Sequence, residues 1–461
     1  MSEASLAVAV EDEQAPGHEP YSLWAALRLW ATLGWTSFGG PAAQIAMLQA
    51  ELVEKRRWIS PHRFLHALNY CMVLPGPEAQ QLATYMGWLL HGPWGGIASG
   101  ALFVLPSLLI MMVFGTLYVS YGELPEVQAL LYGLKPAVLA IVLAASVRLG
   151  QRVLNGALWW VICGASLALL LFKTPFVVVI LLAGLTGWAA YLFSRGPLPG
   201  ALQPKSVDFS QPEAPGFLID DHTPPPERAL ADPRYLAAAL GVGLAIWALL
   251  YGGLASYFGG ILADMAGFFT KAALVTFGGA YAVLPYVFDV AVEQKGWVTT
   301  AQMMDGLALG ETTPGPLVMV NAFIGFLAAA QHPDLNFVAI PVAGAMGALV
   351  ATVFTFLPSF VFILAGAPWV EASRRIPALM APLTAISSAV VAVIIDLGFT
   401  FARHILWPTH TAEASWRSLD VVAALISILA ILLMLQFKMG MVRTLLACVA
   451  MGLLASALGL P

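Results

Sequence analysis

The sequence predicts an all-α polytopic membrane protein, built from two homologous halves of inverted topology with broken, re-entrant helix hairpins. Three observations carry that prediction. Of 461 residues, 59% are hydrophobic and only 10% charged, with a mean hydropathy of +0.82, whereas a soluble domain carries about 25% charged residues. Two apolar stretches are interrupted by Pro75-Gly76-Pro77 and by Pro314-Gly315-Pro316, which stand 239 positions apart. Phe38-Gly39-Gly40 recurs as Phe277-Gly278-Gly279 at that same offset, as does Trp58 as Trp297.

Each interruption has a physical meaning. Pro-Gly-Pro lacks two amide donors and fixes φ at two positions. The carbonyls this frees must be satisfied by protein or by a water-lined cavity, because lipid cannot do it. Aligned without gaps, residues 38–77 and 277–316 share eleven identities in forty positions, against roughly three or four for unrelated apolar stretches.

In order, residues 1–20 form an acidic tail with Glu3, Glu11, Asp12, Glu13 and Glu19 and no basic region typical of a signal peptide. The stretch from Tyr21 to about Glu54 is too long for one crossing and too short for two. With its break at Phe38-Gly39-Gly40-Pro41, it reads as a re-entrant pair of half-helices. Residues 61–91, broken at 75–77, read as a second such pair. Crossings are expected at about 97–120, 127–147, 156–172 and 175–194, completing an N-terminal half over 21–194. Nine prolines between Pro197 and Pro233 mark 195–232 as a flexible linker. The C-terminal half, 233–461, begins with a crossing at about 234–252 and then repeats the two hairpins. Crossings follow at about 338–366, 377–401, 419–437 and 441–460. Leu105-Pro106-Ser107 recurs as Leu357-Pro358-Ser359, 252 positions on, so the second copy carries an insertion near 331–337.

With the amino terminus inside, one face of the membrane receives 15 of the 21 Lys and Arg residues, including Lys55, Arg56, Arg57, Arg63, Arg148 and Arg152. The positive-inside rule makes that face, with the N-terminus and the linker, cytoplasmic. Five crossings separate the two copies, and an odd number inverts one against the other. The net charge of −5 offers no basic surface for nucleic acid. Cys71, Cys163 and Cys448 have neither metal nor disulfide spacing and read as small core residues. His62 and His66 lie beside the basic loop with no carboxylate between them and read as a solvated helix end, so no metal or cofactor is expected. HExxH, GxSxG and nucleotide-binding loops are all missing from the sequence, which argues against an enzyme.

The candidate site is the meeting point of the four hairpin tips. A half-helix that starts inside the bilayer presents unpaired N–H groups and a positive dipole end, and both attract anions. The tips carry Ser37, Gln44, Gln80 and Gln81 in the first copy, and Thr276, Thr312, Thr313 and Asn321 in the second. Hydroxyls, amides and backbone N–H groups together suit a tetrahedral oxyanion. Lys271, about half-way along an apolar half-helix, is the expected counter-charge, and its repeat partner is Thr32. Glu311 precedes its break at a helix carboxyl end, where dipole and burial both act against a negative charge, and is the first proton-carrier candidate. Glu78, at a helix start, and Asp396, within a crossing, are the others. An anion channel using the hairpins as a filter is the alternative from a different class.

Taken together, Phe38-Gly39-Gly40-Pro41, the Glu54…Trp58 pair, Leu74-Pro75-Gly76-Pro77, Leu105-Pro106-Ser107 and their second copies resemble the chromate ion transporter family in its long, two-domain form. The resemblance covers nearly the whole chain except the tail and linker. It implies an inner-membrane exporter of chromate, driven by the proton-motive force and conferring chromate resistance, with sulfate as a nearly isosteric competitor. Uptake or exchange of sulfate or another oxyanion is the runner-up, and a homodimer is compatible with the reading. Ala280 stands where the first copy has Pro41, a departure at the start of that half-helix.

Overall fold

The structure, a computed structural model, describes residues 22–194, 200, 216–220, 232–258, 260–277, 279–372, 377–407 and 418–459. The acidic tail, most of the 195–232 linker and Gly278 lie outside the described residues. In the N-terminal half, α1 (Leu23–Thr36), α2 (Gly40–Gln49), α3 (Pro61–Cys71) and α4 (Glu78–Tyr121) are followed by α5 (Pro125–Val153), α6 (Ala157–Leu171) and α7 (Phe176–Ser194). A connecting helix, α8 (Pro233–Tyr257), leads into α9 (Gly260–Leu274), α10 (Ala280–Phe288), α11 (Thr300–Thr312) and α12 (Val320–Ala330). The chain ends with α13 (Ile340–Ala372), α14 (Pro377–Leu406), α15 (Val421–Leu435) and α16 (Met441–Ala457). Among the described residues, six helices are long and apolar enough to cross a membrane. The protein is a multi-pass membrane protein.

The repeat extends to irregular features. A π-helical turn follows α2 at Ala50–Lys55 and follows α10 at Asp289–Gln294, an offset of 239. Trp58 N donates to Leu52 O, and Trp297 N donates to Ala291 O, each at 2.8 Å. The next helix is capped in one copy by Ser60, whose hydroxyl accepts from Arg63 N, and in the other by Thr299, whose hydroxyl accepts from Gln302 N.

All four broken stretches fold back on themselves. Thr36 Oγ1 reaches Met47 Sδ at 3.7 Å across the first break. The Tyr70 and Tyr85 rings lie 6.4 Å apart across the second. Phe268 and Tyr286 meet at 5.6 Å across the third, and further out Lys295 Nζ pairs with Asp264 Oδ2 at 2.7 Å. Across the fourth, a Cβ added to Gly306 would lie 2.6 Å from the Phe323 ring. A straight helix would separate the ring and sulfur pairs by roughly 16–27 Å, and Asp264 from Lys295 by roughly 46 Å.

The 44 residues of α4 are two antiparallel segments with a corner at His91 and Gly92, whose φ is +70°. Gly supplies that conformation without a Cβ penalty, and Pro93 starts the outgoing segment where no amide donor is needed. Ser99 Oγ donates to Ala83 O at 2.8 Å across the corner. In the second copy the corresponding segments are the separate helices α12 and α13. They pack so closely that a Cβ on Gly325 would lie 2.6 Å from Gly347 O.

The halves interlock. The C-terminal helices α14, α15 and α16 pack along α5, and α14 also packs against α6 and α7. In contrast, α8 lies at the periphery against α9 and α13, with only Gly243 buried. The described linker segment pairs with the loop between α2 and α3: Leu218 N donates to Arg57 O and Ile219 N to Trp58 O, both at 3.0 Å. Gly200 lies against Asn155 in the α5–α6 loop, so both loops share one face with the linker.

Candidate functional site

The recurring motifs meet crosswise. Gly76 N donates to Thr276 O at 2.8 Å, and Gly315 N donates to Ser37 O at 2.9 Å. These are equivalent bonds, since each partner lies 239 positions from its counterpart. The Leu-Pro-Ser serines complete the pattern: a Cβ on Gly76 would run into Ser359 Oγ, and one on Gly315 would lie 2.7 Å from Ser107 Cβ. Each Pro-Gly-Pro break is thus held between a hairpin tip and a serine of the opposite half. Both glycines need their positive φ, +127° and +108°, and both need the space a side chain would fill.

Helix capping divides along the same line. Hairpin helices that start at the rim are capped by Ser22, Ser60 and Thr299, and at α9 Asp334 Oδ2 accepts from Ile261 N at 3.2 Å. The helices that start at the breaks have no side-chain cap: α2 follows Gly39, α4 follows Pro77, α10 follows Gly279, and the 3-10 turn leading into α12 follows Pro316. The helix starts at the breaks therefore carry no side-chain cap on their first-turn amides and positive dipole ends, the arrangement that draws anions.

Several buried polar atoms close to the breaks have no partner: Gln44 Oε1, Gln80 Oε1, Gln81 Oε1, Ser107 Oγ and Asn321 Oδ1. The tip side chains, expected from their residue types to be donors to the ligand, have their hydrogens directed to nearby oxygens instead. Gln44 Nε2 donates to Ser37 O at 3.1 Å and to Gly315 O at 2.6 Å, bridging the halves. Gln81 Nε2 donates to Pro75 O at 2.7 Å, and Gln80 and Asn321 donate to Thr84 and Thr355 hydroxyls. Ser37, Thr276, Thr312 and Thr313 hydroxyls donate to carbonyls of their own helices. The side-chain hydrogens of the glutamines, asparagine, serine and threonines brace the breaks, and the Ser107 hydroxyl is left without a partner among the described residues.

Glu311 is buried in the last turn of α11 and accepts from the Tyr281 hydroxyl at 2.6 Å. Arg148 of α5 lies within electrostatic reach of both. The repeat partners of Tyr281 and Glu311 are Ala42 and Met72, so only one half carries this pair. Glu78 opens α4 beside its break, with Arg152 in reach. Asp396 sits apart on α14, where Lys173 is the cation in reach. Lys271 lies in the last turn of α9, not half-way along it; it is exposed and has no side-chain partner among the described residues. Phe38, at the first tip, is exposed.

Two openings flank the hairpins. One, of about 1290 Å³, runs between α1, α4 and the π turn after α2, past Arg28 and Thr32 to Thr36, one residue from the first tip. The other, of about 410 Å³, is lined by Asp264, Lys295, His332 and Asp334, lies at the rim of the second copy, and contains none of the break residues. Tyr281, Ser107 and Ser359 escaped the reading of the sequence as site residues. The recurrence of Leu-Pro-Ser was the available signal for the serines. Nothing local marks Tyr281.

A family model described as chromate transporter matches residues 24–188 and 263–453. The chain belongs to the chromate transporter family. The chromate transport protein of Cupriavidus metallidurans is 28% identical over 421 residues, covering 91% of this chain and 89% of that protein. That of Pseudomonas aeruginosa is 32% identical over 386 residues, covering 81% and 80%. The uncharacterized transporter YwrB of Bacillus subtilis is 28% identical over 156 residues, which is 32% of this chain but 79% of YwrB. No solved structure gives a significant match.

Proposed function

We propose that the protein is a secondary active transporter that exports chromate across the inner membrane, driven by the proton-motive force. The observation that carries this is the set of four uncapped helix starts gathered around the reciprocally bonded breaks. Chromate is a tetrahedral dianion, and backbone N–H groups at helix starts suit its oxygens. Membership of the family, with relatives named for chromate transport, supports the choice of oxyanion. Sulfate has nearly the same shape and charge and competes for the same amides.

The halves are inverted against each other, with the broken helices meeting near the bilayer midplane, as in inverted-repeat transporters. The odd connecting helix α8 and the shared face of linker and basic loops favour this arrangement, with the N-terminus and linker cytoplasmic. Lys271 supplies a counter-charge from the second half, and Glu311, held by Tyr281, carries the coupling proton. Backbone bonds across the middle favour alternating access over an open anion channel, because they close the direct path between the tips.

The test is labelled-chromate accumulation in everted membrane vesicles, with and without an imposed pH gradient, and with sulfate as competitor. Accumulation that collapses with the gradient supports coupled export. Flux that ignores the gradient would mean a channel, and sulfate accumulation with no chromate uptake would mean another oxyanion is the substrate.

A further inference from the structure

Arg148 and Arg152 lie one turn apart near the carboxyl end of α5. Residues 137–142 of that helix are buried, but both arginines are exposed. Arg152 Nη2 lies 3.4 Å from Met72 Sδ, three residues before Pro75-Gly76-Pro77. Arg148 donates its Nε–H to the Ala144 carbonyl at 3.2 Å, and its two outer nitrogens have no partner among the described residues. The helix that carries both arginines, α5, also packs against α11, whose last turn leads into the other break. Among the described residues neither guanidinium has a carboxylate within ion-pair distance, whereas Lys55 and Arg56 on the same face pair with Glu51.

We propose that Arg148 and Arg152 form a two-guanidinium clamp that captures the tetrahedral dianion beside the two breaks and delivers it to the uncapped helix starts. The clamp rests on the oxyanion-transport reading given above. A guanidinium offers a planar fork of donors that matches two oxygens of such an anion. Side chains four residues apart on a helix start roughly 5–6 Å from each other, close enough for both forks to hold one ion. A cation in the last turn also suits the negative end of α5, but lysine would serve that purpose equally. A phospholipid phosphate presents the same chemistry as a free oxyanion, so the test separates the two.

The full chain is purified in detergent free of anionic lipid, and chromate binding is measured by equilibrium dialysis, then repeated in phosphatidylglycerol nanodiscs. Arg148→Gln and Arg152→Gln are each expected to raise the Kd for chromate roughly tenfold or more, and the double variant to abolish binding. Arg148→Lys and Arg152→Lys, which keep the charge and the helix-end role, are expected to recover only part of the affinity. Unchanged Kd in folded Gln variants, or full recovery with Lys, would overturn the clamp while leaving oxyanion transport standing. Wild-type protein that binds neither chromate nor sulfate would overturn both. Gln variants that lose phosphatidylglycerol binding but keep chromate binding would make the pair a headgroup anchor and overturn the clamp.

Discussion

At the residue scale, the 2.6 Å bond from the Tyr281 hydroxyl to Glu311 joins two half-helices of a single copy, with Ala42 and Met72 at the equivalent places in the other. The repeat keeps its breaks, caps and π turns but carries this pair once, so the two halves differ chemically at this position. Glu311→Gln keeps the shape and the acceptor oxygen and removes the exchangeable proton. It should flatten the dependence of chromate flux on an imposed pH gradient while leaving chromate binding measurable. Tyr281→Phe should shift that dependence without abolishing it. Full retention of coupling in Glu311→Gln vesicles would remove the carboxyl from the proton path.

The element that matters most is the broken helix. Its tip needs a backbone turn no helix can make, and its freed groups are satisfied by the opposite half: Gly76 by Thr276, Gly315 by Ser37, with Gln44 bridging Ser37 and Gly315. Gly315→Ala adds a methyl 2.7 Å from Ser107 Cβ at a φ of +108°. The backbone strain alone costs about 1–3 kcal/mol. The variant should melt at a lower temperature in detergent and lose transport, and Ser107→Gly in the same chain should recover part of the melting temperature. No change in melting for Gly315→Ala would mean that the break is not packed as described. The α4 corner makes a related point. The Gly92-Pro93 pair separates a returning half-helix from the following crossing, and both segments are legible in the sequence as a broken stretch and a separate span.

Considered as a whole, the molecule is two copies of one chain path locked together by reciprocal bonds and by the packing of α14, α15 and α16 along α5. The break glycine of each copy donates its N–H to the hairpin tip of the other. Cutting the chain within the linker, between residues 201 and 210, should therefore leave two fragments that restore chromate resistance when co-expressed and fail when expressed alone. Activity of either fragment by itself would contradict the reciprocal arrangement. YwrB, whose 156 matched residues are 79% of its length, shows that a relative can be about one half long.

The sequence alone determined the membrane character, the duplication and the positions of the breaks. Those depend on composition and on residues whose backbone chemistry is local: proline without a donor, and glycine between prolines. It also raised Glu311 and the hairpin tips as candidates for the site. Only the tertiary structure decided that the tips exchange backbone bonds between halves, and that Ser107 and Ser359 back the opposite glycines. It alone directed the amide hydrogens to nearby oxygens and placed Tyr281 beside Glu311. The reason is sequence distance. Partners more than 200 positions apart leave no periodic trace in a single chain, and a side-chain amide looks like a free donor until the carbonyl that takes its hydrogen is known.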